Sequence, residues 1–270
     1  VKRMQEIGIE ELKSIELNML VFIDKTCKES NLRYFLCGGT LLGAVRHQGF
    51  IPWDDDIDIF MPRPDYERLI ELIKDSEEYK LLASTDKDYY YNFGKLVDKR
   101  TAMIERGNES ISGMGVYIDI FPLDGMPSNE DECAKHFKDL DRIRRRITSF
   151  SIGKPHFRKN FGILFLNWFY YITNKMTSIQ AEQEKYMKCA KQYAYDSSEY
   201  VYATGGAYRK KDIFPKAWLS KGTELTFEGM KFQAPTEYDK YLKRLYGDYM
   251  ELPPVEKRVS HHHFAAHYTI

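Results

Sequence analysis

The chain has 270 residues, 43% of them hydrophobic and 30% charged, and its 40 basic side chains balance its 40 acidic ones. That is a globular composition, long enough for one large domain or two small ones. It excludes a disordered chain, and a protein that gathers nucleic acid through a global positive field.

The opening stretch Val1-Lys2-Arg3-Met4-Gln5-Glu6 reads as a polar segment and not as a signal peptide. No apolar run reaches the ~18 residues a membrane span needs. Cys27, Cys37, Cys133 and Cys189 form no C-x-x-C pair. Such spacing predicts reduced thiols in the cytosol and no zinc knuckle.

In chain order, Leu12, Ile15, Leu17, Met19, Leu20 and Ile23 recur at helical spacing, which predicts a helix over Ile9 to Glu29. Tyr34 to Cys37 reads as a short strand, broken by Gly38-Gly39. Thr40 to Val45 reads as a short helix starting at Gly39 or Thr40. A strand over Asp56 to Met61 follows, and Pro62 and Pro64 introduce a helix. Tyr79 to Ala83, Tyr90 to Val97, Thr101 to Glu105 and Gly115 to Phe121 are expected strands. Beyond Pro127 the pattern turns helical, over Asn129 to Ser149, Phe161 to Thr173 and Ser178 to Tyr195. A hairpin turning at Glu228-Gly229, a helix over Thr236 to Tyr246 and an irregular tail from Pro253-Pro254 complete the chain. The expected architecture is mixed α/β (α+β), one domain over 1–270. A mixed-sheet core occupies 1–125, and a mostly helical lobe, 126–270, completes the cleft.

The chemistry concentrates in Trp53-Asp54-Asp55-Asp56-Ile57-Asp58-Ile59-Phe60. Strand alternation places Asp54, Asp56 and Asp58 on one face if the strand extends back that far. Like charges ~4 Å apart repel by ~4 kcal/mol at an effective dielectric near 20. Hard divalent cations, which prefer carboxylate oxygens, relieve that repulsion. Gly38-Gly39-Thr40 lies between strand and helix, where backbone N–H groups can meet a phosphate. Asp119 stands alone among the apolar residues of another strand. A glycine turn, a two-carboxylate strand and a third carboxylate on a neighbouring strand fit metal-assisted phosphoryl transfer of the nucleotidyltransferase type.

The stretch from Gly39-Thr40-Leu41-Leu42-Gly43-Ala44-Val45-Arg46-His47 through Gln48-Gly49-Phe50-Ile51-Pro52-Trp53 to Asp54-Asp55-Asp56-Ile57-Asp58-Ile59 closely resembles the signature of the LicD family, which is related to fukutin-type proteins. Further blocks of that family are Arg63 with Asp65-Tyr66, Asp119 to Asp124, Tyr246-Gly247-Asp248-Tyr249 with Leu252-Pro253-Pro254, and Arg258 with His261-His262. The resemblance runs from about residue 10 to 265. It implies a nucleotidyltransferase-type phosphotransferase that moves phosphocholine from CDP-choline to a hydroxyl of a cell-surface glycan, of teichoic acid or lipooligosaccharide type, releasing CMP. Asp56, Asp58 and Asp119 would hold Mg2+ or Mn2+ and act as the catalytic residues, with Asp119 helping to deprotonate the acceptor. Gly38, Gly39 and Thr40 would face the donor phosphates. Two other readings stay open: a different cargo, such as ribitol, glycerol or ethanolamine phosphate or a nucleotidyl group, and a non-catalytic nucleotide- or glycan-binding protein.

Arg46, His47, Arg258 and His261 are further candidates for contact with phosphate or acceptor. Lys95 and Arg100 are either phosphate contacts or part of a solvated strand face. Trp53 reads as a core ring beside the site. A choline cargo requires aromatic faces, and Tyr89, Tyr90, Tyr91, Phe93 and Tyr117 are available. Alternation sends Tyr89 and Tyr91 to one face and Tyr90 to the other. From Arg142 to Lys175 the chain holds eight basic residues and no acidic one, around the apolar run Phe161 to Tyr171. This stretch is either a surface for anionic membrane, useful with a lipid-linked acceptor, or a buried helix. The expected location is cytoplasmic, at the inner face of the membrane.

Overall fold

The computed structural model describes residues 5–105, 111–151, 161–259 and 264–269. Its first half holds α1 (Ile9–Ser30), β1 (Phe35–Leu36), α2 (Gly38–Arg46), β2 (Asp58–Pro62), α3 (Arg63–Ile73), β3 (Tyr79–Leu82), β4 (Gly94–Asp98), β5 (Thr101–Glu105) and β6 (Tyr117–Met126). Then come α4 (Glu130–Thr148), α5 (Phe161–Asn174), α6 (Ile179–Ala190), β7 (Tyr200–Ala203), β8 (Ile213–Pro215), β9 (Thr223–Phe227), β10 (Met230–Ala234), α7 (Tyr238–Tyr246) and β11 (Phe264–Tyr268). The fold is mixed α/β, as expected.

β6 is the spine of the main sheet, whose order is β1-β2-β6-β4-β3. Its first half lies between β2, which runs parallel to it, and the antiparallel β4. Its second half pairs with β7, which pairs in turn with β8. Strand partners share a face of a sheet, so the register decides which side chains meet. Asp58 stands opposite Asp119, and Asp119 opposite Lys95. Two residues further along, Phe60 stands opposite Phe121. The ring of Phe93, just before β4, lies 4.6 Å from that of Phe121. One face of the sheet therefore carries an acidic row and, next to it, an aromatic row.

α3 covers the other face. Its Tyr66 hydroxyl lies 2.8 Å from where a Cβ on Gly94 would sit, so only glycine lets helix and strand approach this closely. At the N-terminus of α3, Arg63 forks onto Asp124 with bonds of 2.7 and 2.6 Å, and Thr204 donates to the same carboxylate. Both partners are buried. This ion pair accounts for two members of the sequence blocks that the acidic row does not use.

Several elements differ from expectation. β2 begins at Asp58, not Asp56, although burial still alternates from Asp54 to Ile59. Tyr89 to Tyr91 are not strand. Gln183 of α6 donates to the carbonyls of Tyr89 and Tyr91 and accepts from Asn92, so a side chain satisfies backbone that a ladder would otherwise pair. α6 stops at Ala190, short of Tyr195. The region after residue 126 supplies strands as well as helices: β7 and β8 extend the main sheet, and β11 in the tail pairs with β5. The hairpin turns where expected, with Glu228 at φ 48 and Gly229 at φ 75, the left-handed pair that a two-residue hairpin loop demands.

Removing one partner of a buried ion pair leaves the other charge uncompensated. Asp124→Ala is therefore expected to lower the unfolding free energy by about 3–5 kcal/mol, read from the midpoint of a urea transition. Loss below about 1 kcal/mol would mean that the pair is dispensable to the fold.

Candidate active site

The acidic row lies beside the N-terminus of α2. The Thr40 hydroxyl accepts from the N–H of Asp58 at 2.8 Å and donates to the carbonyl of Asp56 at 3.5 Å. One side chain thus clasps the backbone on both sides of Ile57. Thr40 is buried, and its hydroxyl engages this backbone. Two strand-end bonds fix the same segment: Cys37 N–H to Asp58 O, and Asp119 N–H to Ile57 O.

The glycines make room for carboxylates. A Cβ on Gly38, which has φ +53, would lie 2.9 Å from Asp58 Oδ2, and one on Gly39 would lie 2.5 Å from Asp54 Oδ2. Asp54 and Asp58 therefore sit against the positive end of α2, where a helix dipole favours negative charge. Burial pushes the carboxyl of Asp58 well above the usual carboxylate range, and Asp56, Asp119 and Asp54 push it further, while Lys95 opposes the shift.

Lys95 is the cation of the row. Its Nζ lies 2.7 Å from Asp119 Oδ1 and 3.6 Å from the centroid of the Tyr117 ring. The rings of Tyr91 and Phe93 lie 5.1 and 5.2 Å away. The ammonium is almost wholly buried. Lys95 is therefore not part of a solvated strand face: its ammonium is engaged by Asp119 and the rings around it. Arg100 is held by Asp98, through bonds of 3.0 and 2.5 Å.

Arg46 closes the other end of α2, roughly 12 Å from Gly38 at 1.5 Å per residue. Its Nη1 donates to Tyr249 O at 2.8 Å and its Nε to His47 Nε2 at 3.0 Å. His47 is an acceptor in that bond. Burial and Arg46 lower its pKa from the ordinary value, so it is neutral near pH 7. Arg258 donates to Pro253 O and lies 5.5 Å from the Trp53 ring. Burial, and then Arg258, lower the pKa of Arg46. Leu42, Arg46, Trp53, Tyr246 and Tyr249 help line a cavity of about 430 Å³. Burial, and then Tyr208, push the phenol of Tyr246 up, and the charge of Asp58 adds to that rise. His261 lies outside the described residues.

Among the described residues, no three acidic, histidine or cysteine side chains converge as a ready-made metal site. The donors nevertheless fit a hard divalent cation. They are all carboxylate oxygens, they crowd one another, and Mg2+ commonly takes only one or two carboxylates and completes its shell from substrate phosphate and water.

Sequence reasoning missed Glu16. It lies in the buried stripe of α1, and its Oε2 has no hydrogen-bond partner among the described residues. Burial raises its pKa well above the ordinary value, as do Asp56 and Asp55 beside it. Helical periodicity placed the neighbours of Glu16 in the core, and that was the only available signal.

Residues 31–151 match the family described as LicD/FKTN/FKRP, nucleotidyltransferase domain. The chain is 30% identical over 268 residues to a lipopolysaccharide cholinephosphotransferase, LicD, of Haemophilus influenzae, covering 96% of this chain and 97% of that protein. It is also 45% identical over 180 residues to an uncharacterised protein of Rickettsia typhi, covering 61% of this chain and 56% of that one. The chain belongs to the LicD family.

The raised pKa of Asp58 has a sign that unfolding can check. A carboxyl with a raised folded-state pKa adds stability below its unfolded value, about 3.9, and that stability is lost as pH rises through the folded value. In chelator at neutral pH, Asp58→Asn is therefore expected to raise Tm, with the gain disappearing as pH falls toward ~4. An unchanged or lower Tm at neutral pH would contradict the crowded-charge geometry.

Proposed function

We propose that this LicD-family protein is a metal-dependent transferase that moves phosphocholine from CDP-choline to a hydroxyl of a cell-surface glycan, releasing CMP. The observation that carries this reading is the aromatic row beside the acidic row on one face of the sheet. A choline ester has the same order of chemistry, a phosphate next to a quaternary ammonium. The name of the H. influenzae relative, a lipopolysaccharide cholinephosphotransferase, supports the cargo and an acceptor of lipopolysaccharide type.

Asp56, Asp58 and Asp119 would hold Mg2+ or Mn2+. A bound divalent cation would neutralise the donor diphosphate and favour departure of CMP. Asp119, its Oδ1 fixed by Lys95, would take the proton from the acceptor hydroxyl. The acceptor oxygen then bonds to the phosphorus bearing choline, the bond from that phosphorus to the CMP oxygen breaks, and CMP leaves. The N-terminus of α2 at Gly38 and Gly39 adds its dipole to the charge stabilisation. The half-buried rings of Tyr91, Phe93 and Phe121 would take the trimethylammonium, and Lys95 already rests on two of these three. Arg46 and Arg258 would bind an anionic part of nucleotide or acceptor, with neutral His47 orienting Arg46. The two halves would act as one catalytic unit, since β7 and β8 of the second pair onto the spine of the first. The reading places the enzyme in the cytoplasm.

The test is CMP release with CDP-choline, CDP-ethanolamine, CDP-ribitol and CDP-glycerol, using a crude glycan acceptor. Asp58→Asn is expected to lower turnover at least about a hundredfold while the protein stays folded. Near-normal release from that variant would remove the site assignment.

The cargo has its own test. Phe93→Leu keeps an apolar side chain but removes the π face. It is expected to lower kcat/KM for CDP-choline by roughly thirtyfold, the equivalent of ~2 kcal/mol for a desolvated ring contact, and to leave CDP-glycerol nearly unchanged. Equal losses on both donors would discard choline as the cargo and keep the transferase.

A further inference from the structure

α5 is apolar but unburied. It is Phe161-Gly162-Ile163-Leu164-Phe165-Leu166-Asn167-Trp168-Phe169-Tyr170-Tyr171-Ile172-Thr173-Asn174, without a charged residue. A helix that is hydrophobic all round is ordinarily found in a protein core or in lipid. Here none of the residues from 162 to 174 is buried. Phe165 is 75% exposed, and Ile163, Leu166, Trp168, Phe169 and Ile172 are exposed as well; Met176, just beyond the helix, is 83% exposed. Among the described residues α5 leans on the end of α4 and the turn after it, where Arg146 donates to Thr173 and Asn174 bonds Ser149. The sequence left two fates open for this helix, and burial within the fold is not the one adopted.

We propose that α5 is a membrane-docking element that lies in the interface of an anionic bilayer. Charge identifies the occupant. Between Asp141 and Glu182 the chain has no acidic residue and eight basic ones. Arg146 rests against the ring of Tyr170, and Lys175 against that of Tyr171, at 5.8 and 4.9 Å. This places cations at the borders of the apolar surface with aromatic stems beneath them, an arrangement that lets charged heads reach lipid phosphates while the stems stay in the apolar layer. A second copy of the chain would bring an identical basic border and be repelled; an anionic lipid surface is attracted. At 14 residues the helix is about 21 Å long, too short to cross a hydrocarbon layer of ~30 Å. Among the described residues no helix is long and apolar enough to cross a membrane. α5 therefore rests on the bilayer and does not span it. Docking does not depend on the transferase chemistry, but it would bring the cleft to an acceptor carried on a lipid.

Arg144 and Arg145 are unsuitable probes, because both pair with Asp141. The exposed apolar face is the better target. The test is co-sedimentation of the full chain with vesicles of phosphatidylcholine alone, or with about one-third phosphatidylglycerol. Binding is expected only to the anionic vesicles, and it should weaken severalfold as salt rises from about 0.1 to 0.5 M. The triple change Phe165→Gln, Phe169→Gln, Ile172→Gln should lower partitioning at least about tenfold, with Tm and CMP release on a water-soluble acceptor unchanged. Three outcomes overturn the proposal: equal binding to both vesicle types, no binding to either, or unaltered partitioning by the triple variant. A dimer that sediments as such in the wild type and dissociates in the variant would also overturn it and assign the surface to a second copy.

Discussion

The repulsion between carboxylates on neighbouring strands is the constraint around which this end of the molecule is built. Asp58 and Asp119 are register partners on adjacent strands, and strands lie about 4.8 Å apart. Two full charges at that spacing oppose one another by roughly 3 kcal/mol at an effective dielectric of 20. The fold accepts this and counters it locally. Thr40 fixes the backbone between Asp56 and Asp58, the glycines at the start of α2 admit carboxylates against a positive helix end, and Lys95 binds Asp119 from the far side. The facing of Asp58, Asp119 and Lys95 depends on the register of β2, β6 and β4. A slip of one residue would turn the acids to the opposite face, against α3.

β6 divides its work along its length. Its early residues carry Asp119 and Phe121, and its later ones carry Asp124, whose pair with Arg63 fastens α3 to the sheet. The two carboxylates are five residues apart on one strand and face opposite ways. One is crowded by like charge and held by the Lys95 ammonium; the other is buried against a guanidinium with both oxygens engaged. On the transferase reading this is a division between an acid kept available for chemistry and an acid spent on rigidity.

Legibility in the sequence followed how local the signal was. The acidic run, the glycine turn, the proline-led start of α3 and the Glu228-Gly229 hairpin all rest on neighbours in sequence, and all stand close to where they were expected. The solvated-face reading of Lys95 failed because its burial comes with a partner 24 positions away. Tyr89 to Tyr91 looked like strand because aromatics favour strands, and only a glutamine from a distant helix shows why they are not. β7, β8 and β11 are three to five residues long and gain their order from partners far off in sequence, so propensity within them is a weak guide. Thr40 was singled out by its position after the glycines, and the bonds of its hydroxyl to the backbone of the acidic run could not be read from that position.

The same two-residue period that aligns the acids also places the aromatics beside them. Phe60 and Phe121 occupy the next positions along their strands on the same face as Asp58 and Asp119, and Phe93, just before β4, packs on Phe121, so a change of register would move both rows together. Arg46 and Trp53, by contrast, reach the site by another route, one from the far end of α2 and the other from the residue just before Asp54. The cleft thus has a rigid side set by the sheet and a second side set by helix length and loop. A substrate that is cationic at one end and anionic in the middle matches the rigid side, because rings and carboxylates there stand at a fixed strand spacing. The arginine side is joined to it through Trp53-Asp54, with Arg258 resting on the Trp53 ring. On the transferase reading, selectivity for the cationic group would therefore belong to the sheet, and tolerance toward the remainder of the substrate to the α2 end and the segment that carries Arg258.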